Sequence, residues 1–297
     1  MKKKYFIFIG ILFFIAAGAA SIEMEEKGCF SENKTFRDDT ISQLDDQKEL
    51  KVLFLGDTGM ANQHQFDVAR ASALICKKIG CDIAVLLGDN FYPDGVSSVN
   101  DEQFKIKFDQ VYSQNVPFFA VLGNHDFRGN WKAQIEYTKM NERWILPATN
   151  YKFAIGPAYF QVINTSCLPL ASTHIQTPDS GKWNILLGHF PYITSSSRGS
   201  RWYLPGDSII DAGFDFYFSG HDHLLEHLQK GSLEQIISGG GGGYLQRESS
   251  SVSEYSKFFA RSYGFVWGKF SKEKAQIRFF NENGEPIYNF TKSKKVD

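Results

Sequence analysis

Five short apolar runs in this chain end in glycine, and a side chain able to bind a metal ion follows each glycine at once. The runs close on Gly56-Asp57, Gly88-Asp89, Gly123-Asn124-His125, Gly188-His189 and Gly220-His221-Asp222-His223. Asp57, Asp89, Asn124, His189, His221 and His223 together offer carboxylate, amide and imidazole donors. Hard oxygen mixed with imidazole suits Fe, Zn or Mn better than Ca or a thiolate-bound metal. Six such residues exceed what one tetrahedral site needs. Two ions about 3.5–4 Å apart, sharing one bridging carboxylate, account for the number, and such pairs serve displacement at phosphorus. Each motif alone has a plainer reading, since an aspartate after glycine often only caps a turn. Their recurrence in order, each at the exit of an apolar run, argues for one shared site. His64, His174 and His227 lack that setting and read as surface or packing residues.

The runs must be placed by secondary structure. Val52–Leu55, Ala84–Leu87, Phe119–Leu122, Ile185–Leu187 and Phe216–Ser219 predict strands buried on both faces. Glycine then lets the chain turn sharply out of the sheet. The donors fall just beyond the strand ends, where open α/β sheets collect their ligands. Between the strands, Gln65–Ile79 reads as a helix with Phe66, Ala69, Ala73 and Cys76 on one face and Gly80 as its stop. Asp101–Tyr112 reads as a second helix, capped by Asn100 or Asp101, and Asn130–Trp144 as a third. After Leu233 the pattern changes to strands at Gly264–Phe270 and Ala275–Phe280, with a hairpin at Asn283-Gly284 leading into Ile287–Phe290. The expectation is an α/β fold that ends in antiparallel strands.

Composition sets the outer bounds. The chain has 297 residues, 42% hydrophobic and 22% charged, an ordinary globular balance. A net charge of −1 offers no basic field for nucleic acid, so none is expected as a partner. Aromatics at 15%, with 27 Phe, favour a sheet-rich interior. Lys2, Lys3 and Lys4, an apolar run from Tyr5 to Ala17 and small residues to Ala20 read as a signal peptide over residues 1–20. An uncleaved anchor is the alternative; otherwise no membrane contact is expected, and the mature protein is secreted or periplasmic. Residues 21–50 read as a loosely ordered lead-in, 51–290 as one catalytic domain and 291–297 as a polar tail. Four cysteines, Cys29, Cys76, Cys81 and Cys167, are too few for a disulfide scaffold; a local Cys76–Cys81 bridge is one option.

The ordered motifs resemble the calcineurin-like binuclear metallophosphoesterases. Many members carry Asp-x-His in the first motif, with the histidine as a ligand; here Asp57-Thr58-Gly59 lacks it. Tyr92, three residues after Asp89, can fill the vacancy, and that exchange marks the purple acid phosphatases. The resemblance is closest to their small, tartrate-resistant type and covers roughly residues 51–290, including Arg143-Trp144, Pro147 and Tyr151. It implies a four-layer α/β/β/α metallophosphoesterase sandwich. It further implies Asp57, Tyr92 and His223 on Fe(III), and Asn124, His189 and His221 on a divalent ion (Fe, Zn or Mn). Asp89 would bridge the pair, and His125 would bind phosphate or donate a proton. The implied activity is acid phosphatase, hydrolysing small phosphate monoesters with a water or hydroxide activated by the two metals. A phosphodiesterase or nucleotide pyrophosphatase on the same site is one alternative, and a secreted binding protein with a vestigial site another. Two departures stand out. The histidine expected nine residues after His189 is Arg198, which could clamp phosphate or sit in a solvated loop. The stretch between Asn164 and Trp183 is short and polar where the resemblance implies a helix.

Overall fold

The computed structural model describes residues 28–294, apart from 30, 168–169, 177, 179–180, 199–205 and 247–251. The signal peptide expected over residues 1–20 lies outside the described residues. Two sheets face each other. In the first, β2 (Glu49–Leu55), β3 (Ile83–Leu87), β4 (Phe118–Val121) and the short β5 (Trp144–Ile145) run parallel. The antiparallel β13 (Gly264–Ser271), β14 (Lys274–Asn281) and β15 (Pro286–Ser293) extend it from β2 outward. In the second, β7 (Ala158–Val162), β8 (Trp183–Leu187), β9 (Phe216–Ser219) and β11 (Leu233–Ser238) are parallel. Antiparallel β6 (Tyr151–Ile155), β10 (Leu225–Lys230) and β12 (Ser256–Ala260) flank them, and β1 (Lys34–Thr35) pairs parallel to β6.

Aromatic side chains fill the space between the sheets, as the composition requires. Phe54 of β2 stacks on Phe218 of β9 at 3.8 Å, and Phe119 of β4 on Phe153 of β6 at 4.0 Å. Such pairs add about 0.5–1.5 kcal/mol each beyond burial. Helices cover the outer faces. Gln63–Ile79 packs on the first sheet and contacts β13. Ile209 of the helix Gly206–Asp211 joins the apolar cluster on the outer face of the second. The expected α/β/β/α architecture is therefore the observed one.

Several local expectations are corrected. The helix Gln63–Ile79 buries Gln65, Val68, Ala69, Ser72 and Ile75, whereas Phe66, expected inside, is 42% exposed. The expected helix Asp101–Tyr112 is one α-turn, Glu102–Phe104, continued by a π-turn, Lys105–Asp109, with Asp101 capping Gln103 N–H. The expected helix Asn130–Trp144 ends at Tyr137, because Trp144 is drawn into β5 beside β4. From residue 28 on, the described part of the lead-in is tied down rather than loose: it supplies β1, the helix Asp39–Leu44, the start of β2 and a Cys29–Cys167 disulfide. The tail boundary also shifts, since β15 continues to Ser293. Cys76 and Cys81 form the local bridge. Between Asn164 and Trp183 the described residues hold only 3-10 turns, at Thr165–Cys167 and Leu170–His174. Two disulfides fit an oxidising compartment. Among the described residues no helix is long and apolar enough to cross a membrane.

Candidate metal centre

The C-terminal ends of five parallel strands meet at one edge of the sandwich. Asp57 leaves β2, Asp89 leaves β3, and Asn124 and His125 leave β4. From the facing sheet His189 leaves β8, and His221 and His223 leave β9. Three donors hold left-handed backbone without being glycine: Asp57 (φ 60°), Asp89 (φ 52°) and His221 (φ 69°). That conformation turns each side chain back over its strand end, at a cost on the order of 1–3 kcal/mol each. Strain of this kind persists only where the surroundings over-determine it.

The donors gather in two groups. In the first, Tyr92 Oη lies 3.0 Å from Asp57 Oδ1, 2.9 Å from Asp89 Oδ2 and 3.0 Å from His223 Nε2. His223 Nδ1–H donates to the Tyr244 carbonyl at 2.7 Å, so Nε2 is the nitrogen facing the group. In the second, His189 Nδ1–H donates to the Leu87 carbonyl at 2.9 Å. Its Nε2 lies 3.2 Å from Asn124 Oδ1, 3.3 Å from His221 Nδ1 and 3.4 Å from Asp89 Oδ2. Backbone carbonyls that fix the outer nitrogen and aim the inner one are the usual second layer of a metal-binding histidine. Asp89 Oδ2 belongs to both groups, while its Oδ1 accepts His125 N–H at 2.8 Å.

The electrostatics fit a cation. Burial, then the Asp57 and Asp89 carboxylates, push the Tyr92 phenol well above its usual 10, so without a metal it stays protonated. Burial would lower His189, but the Asp89 carboxylate outweighs it and raises the imidazole to about 9. Burial likewise works against Asp89, yet the His189 and His125 imidazoles hold its carboxyl below the usual range. In the protein alone a proton must therefore sit among converging acceptors. Metal binding replaces such protons, since ligands must be deprotonated.

Two predicted site residues lie beside these groups. His125 Nδ1–H donates to the Pro93 carbonyl at 2.5 Å, and Nε2 faces Asp89 Oδ2 at 4.0 Å. Arg198 is exposed, yet its Nη1 reaches His221 Nε2 at 3.0 Å and the His221 carbonyl at 3.3 Å. All nine residues singled out from the sequence come together at one edge of the sandwich. His64, His174 and His227 stay apart, bonded to Glu282, the Cys29 carbonyl and Glu234 respectively.

Sequence reasoning missed the supporting parts. Gly239–Gly243, after β11, roofs the first group: Gly243 N–H donates to Asp57 O at 2.9 Å and Gly241 N–H to Gly56 O at 3.0 Å. A Cβ on Gly243 would meet His223 Cε1 at 2.5 Å. Five consecutive glycines after an apolar strand were a visible signal, but one carrying no donor. Asp126 ties the turns after β3 and β4 together, accepting from Gly123 N–H (2.7 Å), Asn90 N–H (3.1 Å) and Gln134 Nε2 (3.0 Å).

A two-sheet sandwich with carboxylate, amide, imidazole and phenol donors at its facing strand ends has the build of a metal-dependent phosphoesterase. The sequence matches the Calcineurin-like phosphoesterase family over residues 50–225, and the chain belongs to that family. It is 28% identical over 289 residues to purple acid phosphatase 4 of Arabidopsis thaliana, covering 84% of this chain and 85% of that one. It is 26% identical over 290 residues to tartrate-resistant acid phosphatase type 5 of Oryctolagus cuniculus, covering 80% and 89%. Among solved structures it is similar to GAP50, described as the anchor in the inner membrane complex of Plasmodium. That likeness has a TM-score of 0.72 at 27% identity, over 84% of this chain and 90% of GAP50. Purple acid phosphatase PPD1 from yellow lupin (Lupinus luteus) seeds shares the fold at a TM-score of 0.62 and 18% identity, over 82% and 54%. The family implies metal ions, and Asp89, His189 and His221 bring ligand atoms within 4.8 Å of one another.

Proposed function

We propose that this protein is a secreted acid phosphatase of the purple type, hydrolysing small phosphate monoesters with a Fe(III)–divalent metal pair. The observation that carries the reading is Tyr92. The first motif, Asp57-Thr58-Gly59, has no histidine, and the Tyr92 hydroxyl instead occupies the gap between Asp57, Asp89 and His223. A phenol held against two carboxylates gives up its proton only to a strongly charged cation, which favours a trivalent ion there. Asp57, Tyr92 and His223 would hold that ion, Asn124, His189 and His221 the divalent one, and Asp89 both. When bound, such a pair supplies Lewis acidity at the phosphoryl oxygens and a nucleophile at mild pH.

The remaining work falls to the chain's own residues. His125, with Nδ1–H fixed on Pro93 O, presents Nε2 toward the centre. An imidazole so held is placed to deliver a proton to a leaving oxygen. Arg198 stands where a second imidazole would be expected, and a guanidinium does not release protons in the accessible range. It can bind phosphate oxygens through parallel charge-assisted hydrogen bonds and stabilise charge as the ester bond breaks.

The test is a visible spectrum of the native protein with metal analysis. A ferric tyrosinate absorbs in the visible, and the band should vanish in Tyr92→Phe. Stoichiometric iron without colour overturns the purple assignment while leaving the family intact. Comparing phosphate monoesters with diesters then checks the substrate class. A second, non-catalytic reading has one observation behind it: the likeness to GAP50, a protein described as an anchor. A fully metal-loaded protein that turns over neither ester would favour it.

A further inference from the structure

The loop after His189 is irregular, rich in hydroxyls and nearly all buried: Thr194, Ser195 and Ser196 are 6%, 2% and 1% exposed. Irregular backbone normally lies at the surface, because buried peptide groups need partners that only regular structure supplies easily. Here the outer face of the second sheet supplies them. Gln235 of β11, 2% exposed, accepts Ile193 N–H at 3.0 Å and returns its own amide N–H to the Ile193 carbonyl. Glu226 of β10, fully buried, accepts Ser195 N–H at 2.9 Å on one oxygen and the Ser195 hydroxyl on the other. Ser195 Oγ in turn accepts Ser253 N–H at 2.9 Å. Two further turns lead outward: Ser196 N–H donates to Thr194 Oγ1 at 3.0 Å and Arg198 N–H to Ser196 Oγ at 3.2 Å. The chain of contacts ends at the Arg198 guanidinium against His221.

We infer that Glu226 is a positioning residue that, through Ser195, sets the loop holding Arg198 over the phosphate-binding face of the centre. The inference rests on the proposal that Arg198 clamps phosphate. Two physical facts single out Glu226 within the loop's floor. Taking a carboxylate wholly out of water is expensive unless every bond it makes is used. Both of its oxygens bond Ser195, three positions before Arg198, and Ser256 of β12 is a further hydrogen-bond partner. A long flexible cation on an unsupported loop would lose on binding the rotamer freedom that a fixed loop has already removed. Glu226 lies at the far end of this contact chain from the metal donors, so losing it should leave the ions in place.

The test is a double-mutant cycle on the metal-loaded full-length protein, read as the inhibition constant of inorganic phosphate and the KM and kcat for phenyl phosphate. Glu226→Ala should weaken phosphate inhibition and raise KM by about tenfold, as a lost charge-assisted contact implies. Both metals should be retained and kcat should change much less. Arg198→Ala should give the same loss, and the double variant no more than either single one. Glu226→Gln, which keeps an acceptor for Ser195 N–H, should recover part of the affinity. If Glu226→Ala does not fold, Ser195→Ala removes the hydroxyl half of the link with the carboxylate and the Ser195 N–H bond left in place, and should give a smaller loss in the same direction. Additive losses, loss of metal or unchanged phosphate inhibition in Glu226→Ala overturn the inference alone. Unchanged inhibition in Arg198→Ala instead overturns the clamp, and the inference with it.

Discussion

One oxygen of Asp89 lies within 3.4 Å of donors from both groups, and its partner oxygen is held by His125 N–H. Asp89→Asn removes the charge and one acceptor oxygen at nearly unchanged size, and asparagine tolerates left-handed backbone as well as aspartate does. The fold should survive, by circular dichroism, while metal content and turnover collapse together. His125→Ala should separate the two effects: both metals stay and the rate falls roughly 10²-fold or more. Metal loss in that variant would move His125 among the ligands. Arg198→Ala should lower kcat/KM about tenfold, and equally for esters of good and poor leaving groups, because it removes no proton donor. A loss confined to poor leaving groups would assign it to leaving-group departure. At this scale the sequence was informative because five of the donors, Asp57, Asp89, Asn124, His189 and His221, directly follow a glycine at the end of an apolar run. Asp126 was not legible, because its work consists of accepting backbone N–H groups from turns that the fold alone brings together.

The strand-to-turn junctions decide whether these donors converge. Gly88 sits at φ 89°, and a Cβ there would meet His189 Nδ1 at 2.5 Å and Gly123 N at 2.9 Å. Gly88→Ala should therefore break the His189–Leu87 contact as well as strain the backbone. Gly213, at φ 87° with nothing within 4 Å of its would-be Cβ, is the control. Gly213→Ala should cost only the backbone term, on the order of 1–2 kcal/mol. Thermal unfolding with metal analysis checks both: only Gly88→Ala should lose metal beyond what its stability loss explains. The helix Gln63–Ile79 shows where pattern reading fails. Its true inner face carries Gln65 and Ser72, whose polarity turned the expected face toward Phe66. Their partners are local or tertiary: Gln65 accepts Ala61 N–H at 2.6 Å and donates to Lys107 O at 2.8 Å, and Ser72 donates to Ala69 O at 2.9 Å. Likewise Trp144 satisfied a helical period but was claimed by β5, where its indole N–H donates to Gln134 O at 2.9 Å.

Across the whole molecule, two disulfides close loops of very different size, with sequence separations of 138 for Cys29–Cys167 and 5 for Cys76–Cys81. Chain entropy assigns about 5 kcal/mol to the long closure and about 2 kcal/mol to the short one. Replacing both cysteines of each pair by serine should reproduce that order in urea unfolding. Equal losses would show that the long bridge joins parts already close in the unfolded chain. The long bridge also ties the lead-in to the turn after β7, next to β1 on β6. For that reason residues 28–50 behave as part of the domain, although their polar composition reads as a loose arm.

Residue type, order and spacing determined which candidate donors follow the apolar runs, the α/β class and, through the resemblance to purple acid phosphatases, the expectation of Tyr92 beside them. Each depends on local features: an apolar run, a glycine, a donor, and one motif missing its histidine. Tertiary structure alone decided what holds the donors, because that support comes from distant backbone carbonyls, a glycine roof after β11 and buried carboxylates such as Asp126 and Glu226. It also decided the fate of Arg198. Nothing in Thr194–Arg198 distinguishes a solvated loop from a pinned one; the difference is made by Glu226 and Gln235 on strands about thirty to forty residues away, and only folding brings them under it.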